Sequence, residues 1–198
     1  MPSRPLTRKV LDPVMQRFPD GGTILEFGVA AGSSYMQLAN KIAQGWPCKL
    51  IGFDSWQGLP KEAEGVWRHP RWTEGQYAFP RKTVEKKFRK IGVTLPDERF
   101  QLVDGWFKDT LTKELQQTIE NLIFVNVDVD LYVSTVTVLD FLTPLLQKGT
   151  IIYFDDWFHL SSEICGERLA FQQWIVKNPE IEYAFIHVTN DRAAIEIL

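Results

Sequence analysis

The sequence predicts an α/β fold: a doubly wound, seven-stranded, mostly parallel sheet with an antiparallel last strand and helices on both faces. Two apolar runs, Leu122 to Tyr132 and Thr150 to Trp157, have little polar alternation before their aspartates, which is typical of strands buried on both faces. The stretch between them is long enough for a crossover helix. Strand and helix patterns alternate along most of the chain, and two final strand patterns flank a turn at Asn190–Asp191.

Both apolar runs end in aspartates, Asp128 with Asp130 and Asp155 with Asp156. A right-handed strand–helix–strand unit brings the C-terminal ends of its strands to one edge of the sheet, so we expect the four carboxylates to converge. Like charges that close raise each other's pKa or repel unless a cation lies among them. A set of carboxylate oxygens favours a hard cation such as Mg²⁺. The alternative is that Asp128 and Asp155 cap crossover helices.

The first strand pattern, residues 23–29, runs into the sequence E-F-G-V-A-A-G. A strand, a glycine turn and a helix N-terminus form a cradle for nucleotide-like ligands, because glycine lets the backbone approach and the helix supplies free N–H groups. Ala30 stands where the pyrophosphate-binding G-x-G-x-x-G pattern has its second glycine. Glu26, just before Gly28, suits a ligand with an ammonium group, as is usual for S-adenosylmethionine. Helix–strand packing is the alternative reason for the glycines.

The ends of the next two strands complete a predicted donor site. Asp54 ends the second strand and suits two ribose hydroxyls, although an aspartate there could also cap a turn. Asp104 ends the third strand. Ligands of open α/β sheets bind at such strand ends. We assign the donor site to Glu26, Gly28, Gly32, Ser33, Asp54, Ser55, Asp104, Gly105, Trp106 and Asp128.

The segment from Ser55 to Pro80 has glycine, proline and tryptophan residues but no clear period. Loops this long in a compact domain are usually functional, and we expect a lid-like insertion. Tryptophans lie in this segment or just after strands, where they form either an aromatic wall for the substrate or packing contacts of the lid. These residues are Trp56, Trp67, Trp72, Trp106 and Trp157.

Three helices are predicted from other patterns. Residues 5–18 predict a short helix that Pro13 breaks. Residues 80–92 predict an amphipathic helix whose apolar side chains belong to the core. Residues 108–119 predict one helix after the third strand.

Length, charge and composition limit the classes of function that the chain can have. A chain of 198 residues is read as a single domain, residues 1–198, and its net charge of −3 gives no basic field that would favour nucleic acid. No apolar run approaches the roughly 20 residues of a membrane span. The N-terminus lacks the apolar segment of a signal peptide, so we expect no membrane partner and a cytoplasmic location. Cys48 and Cys165 are too few for a disulfide framework.

Several stretches together resemble class I S-adenosylmethionine-dependent methyltransferases, and within them the macrocin O-methyltransferase family. They are LEFGVAAGSS, IGFDSWQGLP, GQYAFP through VEKKFRKIGV, VDGWFKDTL, VDVDLYVST, and YFDDW followed by GERLAFQQW. They span Leu25 to Trp174, which is most of the chain.

The resemblance implies a Rossmann-like sheet, S-adenosylmethionine as the donor and a divalent cation, usually Mg²⁺. Carried over residue by residue, the cation ligands are Asp128, Asp155 and Asp156, and Asp130 falls where some members place a general base. His159 is a second candidate for a base or a substrate contact, with a plain surface role as its alternative. Trp157 stands where tyrosine is common. The chain is shorter than is typical of the family, which leaves oligomeric contacts open, and a homodimer is one state we consider.

The sequence therefore favours a metal-dependent O-methyltransferase that acts on a hydroxyl of a small molecule, such as a sugar or another natural-product intermediate. A nicotinamide-dependent oxidoreductase is one alternative, and Ala30 and the lack of a Tyr-x-x-x-Lys pair argue against it. A non-catalytic protein that binds an adenosine ligand is another. The four strand-end aspartates argue against it, because a pure binding protein has no use for them.

Overall fold

A computed structural model describes Leu6 and residues 8–157 and 164–198. The strands within these residues are β1 (Thr23–Phe27), β2 (Lys49–Asp54), β3 (Phe100–Asp104), β4 (Leu122–Val127), β5 (Ile151–Phe154), β6 (Tyr183–Val188) and β7 (Ala193–Ile197). The helices are α1 (Arg8–Arg17), α2 (Ser33–Ala43), α3 (Lys82–Lys90), α4 (Phe107–Thr110), α5 (Lys113–Gln116), α6 (Tyr132–Leu142) and α7 (Gly166–Lys177), and a 3₁₀ turn follows α6 at Thr143–Leu145.

The strands of the described residues form one seven-stranded sheet in the order β3-β2-β1-β4-β5-β7-β6. The strands β1 to β5 are parallel to their neighbours, and β7 is antiparallel to both β5 and β6. The predicted fold class is therefore confirmed. Chain order reverses direction across the sheet between β1 and β4, and open α/β sheets bind ligands at such a switch point.

Helices cover both faces of this sheet. On one face, α1, α2 and α3 bury side chains such as Tyr35 and Phe88. On the other face, α6 and α7 pack Phe171 and Trp174 onto the sheet, where the rings of Phe27 and Phe53 stack with centroids 4.8 Å apart. Each large apolar side chain buried in this way stabilises the fold by about 1.5–3 kcal/mol. The two apolar cores hold the strand ends in fixed positions.

The predicted break at Pro13 is wrong, because α1 runs through that residue. A proline inside a helix removes one N–H donor and crowds the preceding turn. Here the buried side chains of Val10, Leu11 and Val14 hold the helix against the sheet and offset that cost.

The single helix predicted after β3 is also wrong, because two short helices, α4 and α5, replace it. Thr112 lies between them with an extended backbone, φ −92° and ψ 162°. Its hydroxyl accepts a hydrogen bond from the backbone N–H of Leu115 at 3.2 Å, so it caps α5 and ends the preceding turn.

The predicted helix α3 and the final hairpin are confirmed. In α3, Val84 and Phe88 are buried, and Ile91 packs partly buried against the same core. The hairpin of β6 and β7 turns at Asn190–Asp191. None of the helices in the described ranges has the length and apolar character that a membrane span needs.

Candidate active site

A cavity of about 620 Å³ opens at the C-terminal ends of the central strands. This volume is in the range that small-molecule sites occupy. Its wall combines residues that follow β1, β2, β3, β4 and β5 with the segment after β2 and with α6. The lining residues that matter for the chemistry are Gly28, Ala30, Asp54, Ser55, Tyr77, Gly105, Trp106, Asp128, Asp130, Asp155 and Asp156.

Gly28 allows the loops after β1 and β4 to meet at the switch point. Its backbone has φ 84°, and a Cβ atom at this position would lie 1.9 Å from the carbonyl oxygen of Asp128. Such a distance is impossible for any residue with a side chain, so glycine is required here. The predicted donor loop and the aspartate loop are therefore in direct backbone contact.

Asp54 organises two loops at the cavity wall. Its Oδ2 accepts a hydrogen bond from the backbone N–H of Ala30 at 2.7 Å, and its Oδ1 accepts one from that of Trp56 at 2.7 Å. The first bond holds Ala30 in a left-handed conformation, φ 47°. Burial raises the pKa of Asp54, and these hydrogen bonds oppose that rise. Asp54 thus has the turn-stabilising role of the sequence alternative and also faces the cavity.

Asp128, Asp155 and Asp156 converge as predicted. Each offers one carboxylate oxygen, and these oxygens all lie within 4.8 Å of one another. The alternative role as helix caps is wrong, because Leu131 occupies the N-cap position of α6 and Cys165 that of α7, and neither side chain makes a capping hydrogen bond. The convergence of these carboxylates therefore has another cause than helix capping.

The electrostatics of the cluster call for a proton or a cation. Burial raises the pKa of Asp128 well above its usual value, and the charges of Asp155 and Asp156 raise it further. The pKa of Asp130 is also raised well above its usual value, first by burial and then by Asp156, with which it forms a hydrogen bond. Two carboxyl groups can share a hydrogen bond only when one of them is protonated. The backbone of Asp130 has a left-handed conformation, with φ 61°.

Glu167 ties the two aspartate loops together, and the sequence analysis missed it. Its buried carboxylate accepts hydrogen bonds from the backbone N–H of Val129 at 3.0 Å and from that of Asp156 at 3.1 Å. Burial and the charge of Asp156 raise its pKa well above the usual value. The sequence feature that could have indicated Glu167 is the acidic residue in GERL, at the start of α7 and after the FDDW run.

Arg192 is a second residue that sequence reasoning missed. Its Nε lies 2.8 Å from Oδ1 of Asp155, and both side chains are largely buried. The backbone N–H of Trp157 donates to the carbonyl oxygen of Asp191 at 2.6 Å, which fixes the β6–β7 hairpin against this loop. The hairpin therefore supplies positive charge to one end of the aspartate cluster. Arg192 is distant from Asp155 in the chain, so no local sequence pattern indicated this ion pair.

A row of polar side chains lies one step below the cavity floor. Sheet register aligns Glu26 with Asn126, and Asn126 with Tyr153. Side chains two residues apart on a strand share a face, so Asp128 and Asp155 continue this face at the strand ends. Glu26 is fully buried and accepts a hydrogen bond from the Ser34 hydroxyl at 2.7 Å. Burial raises its pKa to about 8, against hydrogen bonds from Ser34 and Asn126.

The structure does not bring every predicted donor residue to the cavity wall. Glu26 is buried beneath it, because the residue faces the core one position before β1 ends. Gly32 and Ser33 lie at the start of α2, where Gly32 packs against Val84. Asp104 pairs with Arg81 and accepts from the indole N–H of Trp56 at 2.8 Å. His159 lies outside the described residues.

The tryptophans are mostly packing residues. Within the described residues, Trp106 is the one of the five that lines the cavity. Trp72 and Trp157 are buried, which favours the packing alternative for them. Tyr77, which sequence reasoning missed, lines the cavity as well. Burial raises the pKa of Tyr77, and the charges of Asp130, Asp156 and Asp128 raise it further.

A family model of macrocin O-methyltransferases (TylF) matches residues 8–178. The match covers the strands β1 to β5, the segment after β2, and the helices α6 and α7. The chain therefore belongs to the macrocin O-methyltransferase family.

Curated relatives agree with this assignment. A tetracenomycin 4'-O-methyltransferase from Streptomyces olivaceus that acts on a rhamnosyl-bearing compound is 33% identical over 143 residues, which are 69% of this chain and 53% of the relative. Mycinamicin III 3''-O-methyltransferase from Micromonospora griseorubida is 30% identical over 148 residues, 69% of this chain and 55% of the relative. The chain thus spans about half the length of these relatives.

Solved structures share the fold. The O-methyltransferase NovP superposes with a TM-score of 0.73 at 26% identity, over 95% of this chain and 79% of that one. The calicheamicin methyltransferase CalS11 gives a TM-score of 0.73 at 24% identity, over 94% of this chain and 76% of that one.

Proposed function

We propose that this chain is a cation-dependent O-methyltransferase that transfers a methyl group from S-adenosylmethionine to a hydroxyl of a sugar or another natural-product intermediate. The observation that carries the proposal is one cavity that joins the glycine loop after β1 and Asp54 to the cluster of Asp128, Asp155 and Asp156. A methyl donor and a hydroxyl acceptor need that adjacency, because the transfer is an in-line displacement that depends on alignment.

The donor is assigned to the β1–β2–β3 side of the cavity. Gly28 lets the ligand approach the backbone, and Asp54 faces the space where a ribose would lie. Gly105 and Trp106 close the wall beyond it. Glu26 supports this loop from below through Ser34 and does not reach the ligand. Its role is to fix the loop, which differs from the direct ammonium contact that the sequence suggested.

The aspartate cluster fits a hard divalent cation such as Mg²⁺. Buried carboxylates repel one another here, and Arg192 forms an ion pair with Asp155. Opposite oxygen ligands of Mg²⁺ lie about 4.2 Å apart, close to the span of the three carboxylate oxygens. Asp128, Asp155 and Asp156 would hold the ion, and Glu167 would keep their loops together. When bound, a cation of this type lowers the pKa of a hydroxyl that it contacts.

Asp130 is proposed as the proton acceptor. It lines the cavity beside the cluster, and its raised pKa gives the ionised form greater affinity for a proton. Tyr77 lines the same cavity and would contact the acceptor. The acceptor hydroxyl would therefore lie between Asp130 and the donor.

The proposal is tested with methyl-labelled S-adenosylmethionine and a panel of glycosides that carry free hydroxyls. We expect label on an acceptor oxygen, and loss of transfer after EDTA treatment that added Mg²⁺ restores. Transfer that survives full removal of divalent cations would contradict the cation dependence. Binding of NADH in place of S-adenosylhomocysteine in a calorimetric titration would contradict the proposed donor.

A further inference from the structure

Glu62 joins the segment after β2 to the N-terminus of α6. Its Oε2 accepts a hydrogen bond from the backbone N–H of Tyr132 at 2.9 Å, and its Oε1 accepts one from that of Val133 at 3.0 Å. The first N–H groups of a helix have no acceptor within the helix. A carboxylate also interacts favourably with the positive end of the helix dipole. Glu62 therefore supplies from 70 residues away the cap that α6 lacks locally.

The place of this contact is what gives it a functional meaning. Stretch 57–61, just before Glu62, lines the cavity, and so do Val133 and Ser134 of α6. The hydrogen bonds of Glu62 thus connect two walls of the cavity, the segment after β2 and α6. The helix that it caps begins directly after the aspartate loop, residues 128–131, which carries Asp128 and Asp130.

On the side that faces the segment, Leu131 of the aspartate loop is buried together with Leu59 and Trp72. Asp130 has a left-handed backbone, φ 61°, and such a conformation persists only when its surroundings hold it. Glu167 holds the loop at Val129, on the side of α7. Gly166 packs against the carbonyl of Asp130, where an added Cβ atom would lie 2.3 Å away. The Glu62 cap restrains the other end of the loop, where α6 begins.

We propose that Glu62 is a positioning residue for the reaction: it fixes the aspartate loop through α6, so that cation binding depends on the docking of the segment after β2. The inference rests on the proposed function for the identity of the ligand at the aspartates. Binding of the acceptor would then dock the segment after β2. The docked segment would close the cavity and complete the cation site in one step.

The test compares Glu62→Gln with Glu64→Gln. The first keeps the shape of the side chain, but a carboxamide presents one acceptor and one donor to two N–H groups. The second removes the same charge from an exposed position in the same segment, away from the cavity wall. Three quantities are measured: amide hydrogen exchange at Tyr132 and Val133, Mn²⁺ affinity, and the affinity for S-adenosylhomocysteine.

For Glu62→Gln we expect faster exchange at both amides and Mn²⁺ affinity weaker by about five- to tenfold, the size of effect that loss of a helix cap has. Affinity for S-adenosylhomocysteine should stay within about twofold, which also shows that the variant is folded. Glu64→Gln should match the wild type in all three. Unchanged exchange and Mn²⁺ affinity in Glu62→Gln would overturn the inference.

Glu62→Asp separates capping from charge, because it keeps the carboxylate on a side chain that is one methylene shorter. Recovery of amide protection together with Mn²⁺ affinity supports the inference. Recovery of Mn²⁺ affinity without amide protection would overturn it, since charge alone would then suffice. If the wild-type chain binds no Mn²⁺, the proposed cation site is wrong. The exchange of the Tyr132 and Val133 amides then decides whether Glu62 fixes the loop.

Discussion

Buried carboxyl groups set the chemistry of individual residues in this protein. Glu26 has a pKa of about 8 because burial penalises its charged form. It is therefore neutral at pH 7 and supports the donor loop as a hydrogen-bonded acid. Burial also raises the pKa values of Asp128, Asp130 and Glu167, and of these three residues Asp128 and Asp130 line the cavity. The same physical effect thus serves a structural role below the cavity and a chemical role within it.

Glu26 should make stability depend on pH. The unfolded residue loses its proton near its ordinary pKa of 4.5, whereas the folded one keeps it until about pH 8. The unfolded state therefore binds fewer protons between these values, so the free energy of unfolding falls as pH rises through this window. The full contribution is on the order of 4 kcal/mol. In Glu26→Gln, the decrease in the free energy of unfolding that Glu26 causes between these pH values should be absent.

Urea denaturation of both proteins between pH 5 and 8, without divalent cations, measures this effect. The difference between variant and wild type isolates Glu26, because the other buried carboxyl groups are present in both. Glu98→Gln, an exposed glutamate, is the matched control. Parallel pH profiles for wild type and Glu26→Gln would show that the buried carboxyl is charged in the folded state.

Asp130→Asn separates proton transfer from cation binding. The carboxamide keeps the size of the side chain but cannot accept a proton, so we expect methyl transfer to slow by roughly 10²-fold or more. Mn²⁺ affinity should persist, since the ligand set is Asp128, Asp155 and Asp156. Single-turnover rates and Mn²⁺ titration measure the two effects. Loss of Mn²⁺ binding in Asp130→Asn would make Asp130 a ligand instead.

At the scale of elements, the segment from Ser55 to Pro80 is the one with the least regular structure around the cavity. It is held by a few specific contacts. Trp72 is buried with Leu59 and Leu131 in a small apolar cluster, and Glu62 caps α6. Such sparse contacts are typical of segments that open at low free-energy cost. That this segment acts as a lid stays a prediction.

We expect this segment to be better protected when ligands are bound. Hydrogen exchange of residues 55–80 should slow on addition of S-adenosylhomocysteine and Mg²⁺ together, because the cavity wall gains contacts. The helix α7, away from the segment, is the internal reference. Equal protection with and without ligands would argue that the segment is a fixed wall rather than a lid.

Sequence patterns predicted the elements well because strand burial and helical period are local properties. The strand runs, the hairpin and α3 follow from apolar spacing alone. The errors at Pro13 and Thr112 came from competition between local propensity and other contacts, since packing carried α1 through a proline and one hydroxyl ended a helix. Strand ends also placed Asp128 and Asp155 correctly at one edge.

The supporting residues of the site were beyond sequence reasoning. Glu62, Glu167 and Arg192 act on residues that are distant in the chain, through contacts with backbone N–H groups or a carboxylate. A lone acidic or basic residue at such a position has no local pattern that distinguishes it from a solvated surface charge. Only the fold shows that these charges contact the loops and the helix that form the site.

At the scale of the whole molecule, the repulsion within the aspartate cluster opposes folding unless a ligand relieves it. An ion that binds the folded state alone stabilises it by mass action, about 2.7 kcal/mol at 100 times its dissociation constant. We therefore expect Mg²⁺ to raise the free energy of unfolding of the wild type. In Asp128→Asn this increment should be absent or small, although the variant itself should be at least as stable without Mg²⁺. Urea titrations with and without Mg²⁺ measure both effects.

The proposed donor region and the cluster of carboxylates lie on the same edge of the sheet, and we expect both to be occupied during methyl transfer. The most direct test is an anomalous difference map from crystals grown with S-adenosylhomocysteine and Mn²⁺. The account predicts a single Mn²⁺ peak within coordination distance of Asp128, Asp155 and Asp156, with the sulfur of the ligand in the same cavity and its ribose at Asp54. A map with no peak at the three aspartates, or with the ligand outside this cavity, would contradict it.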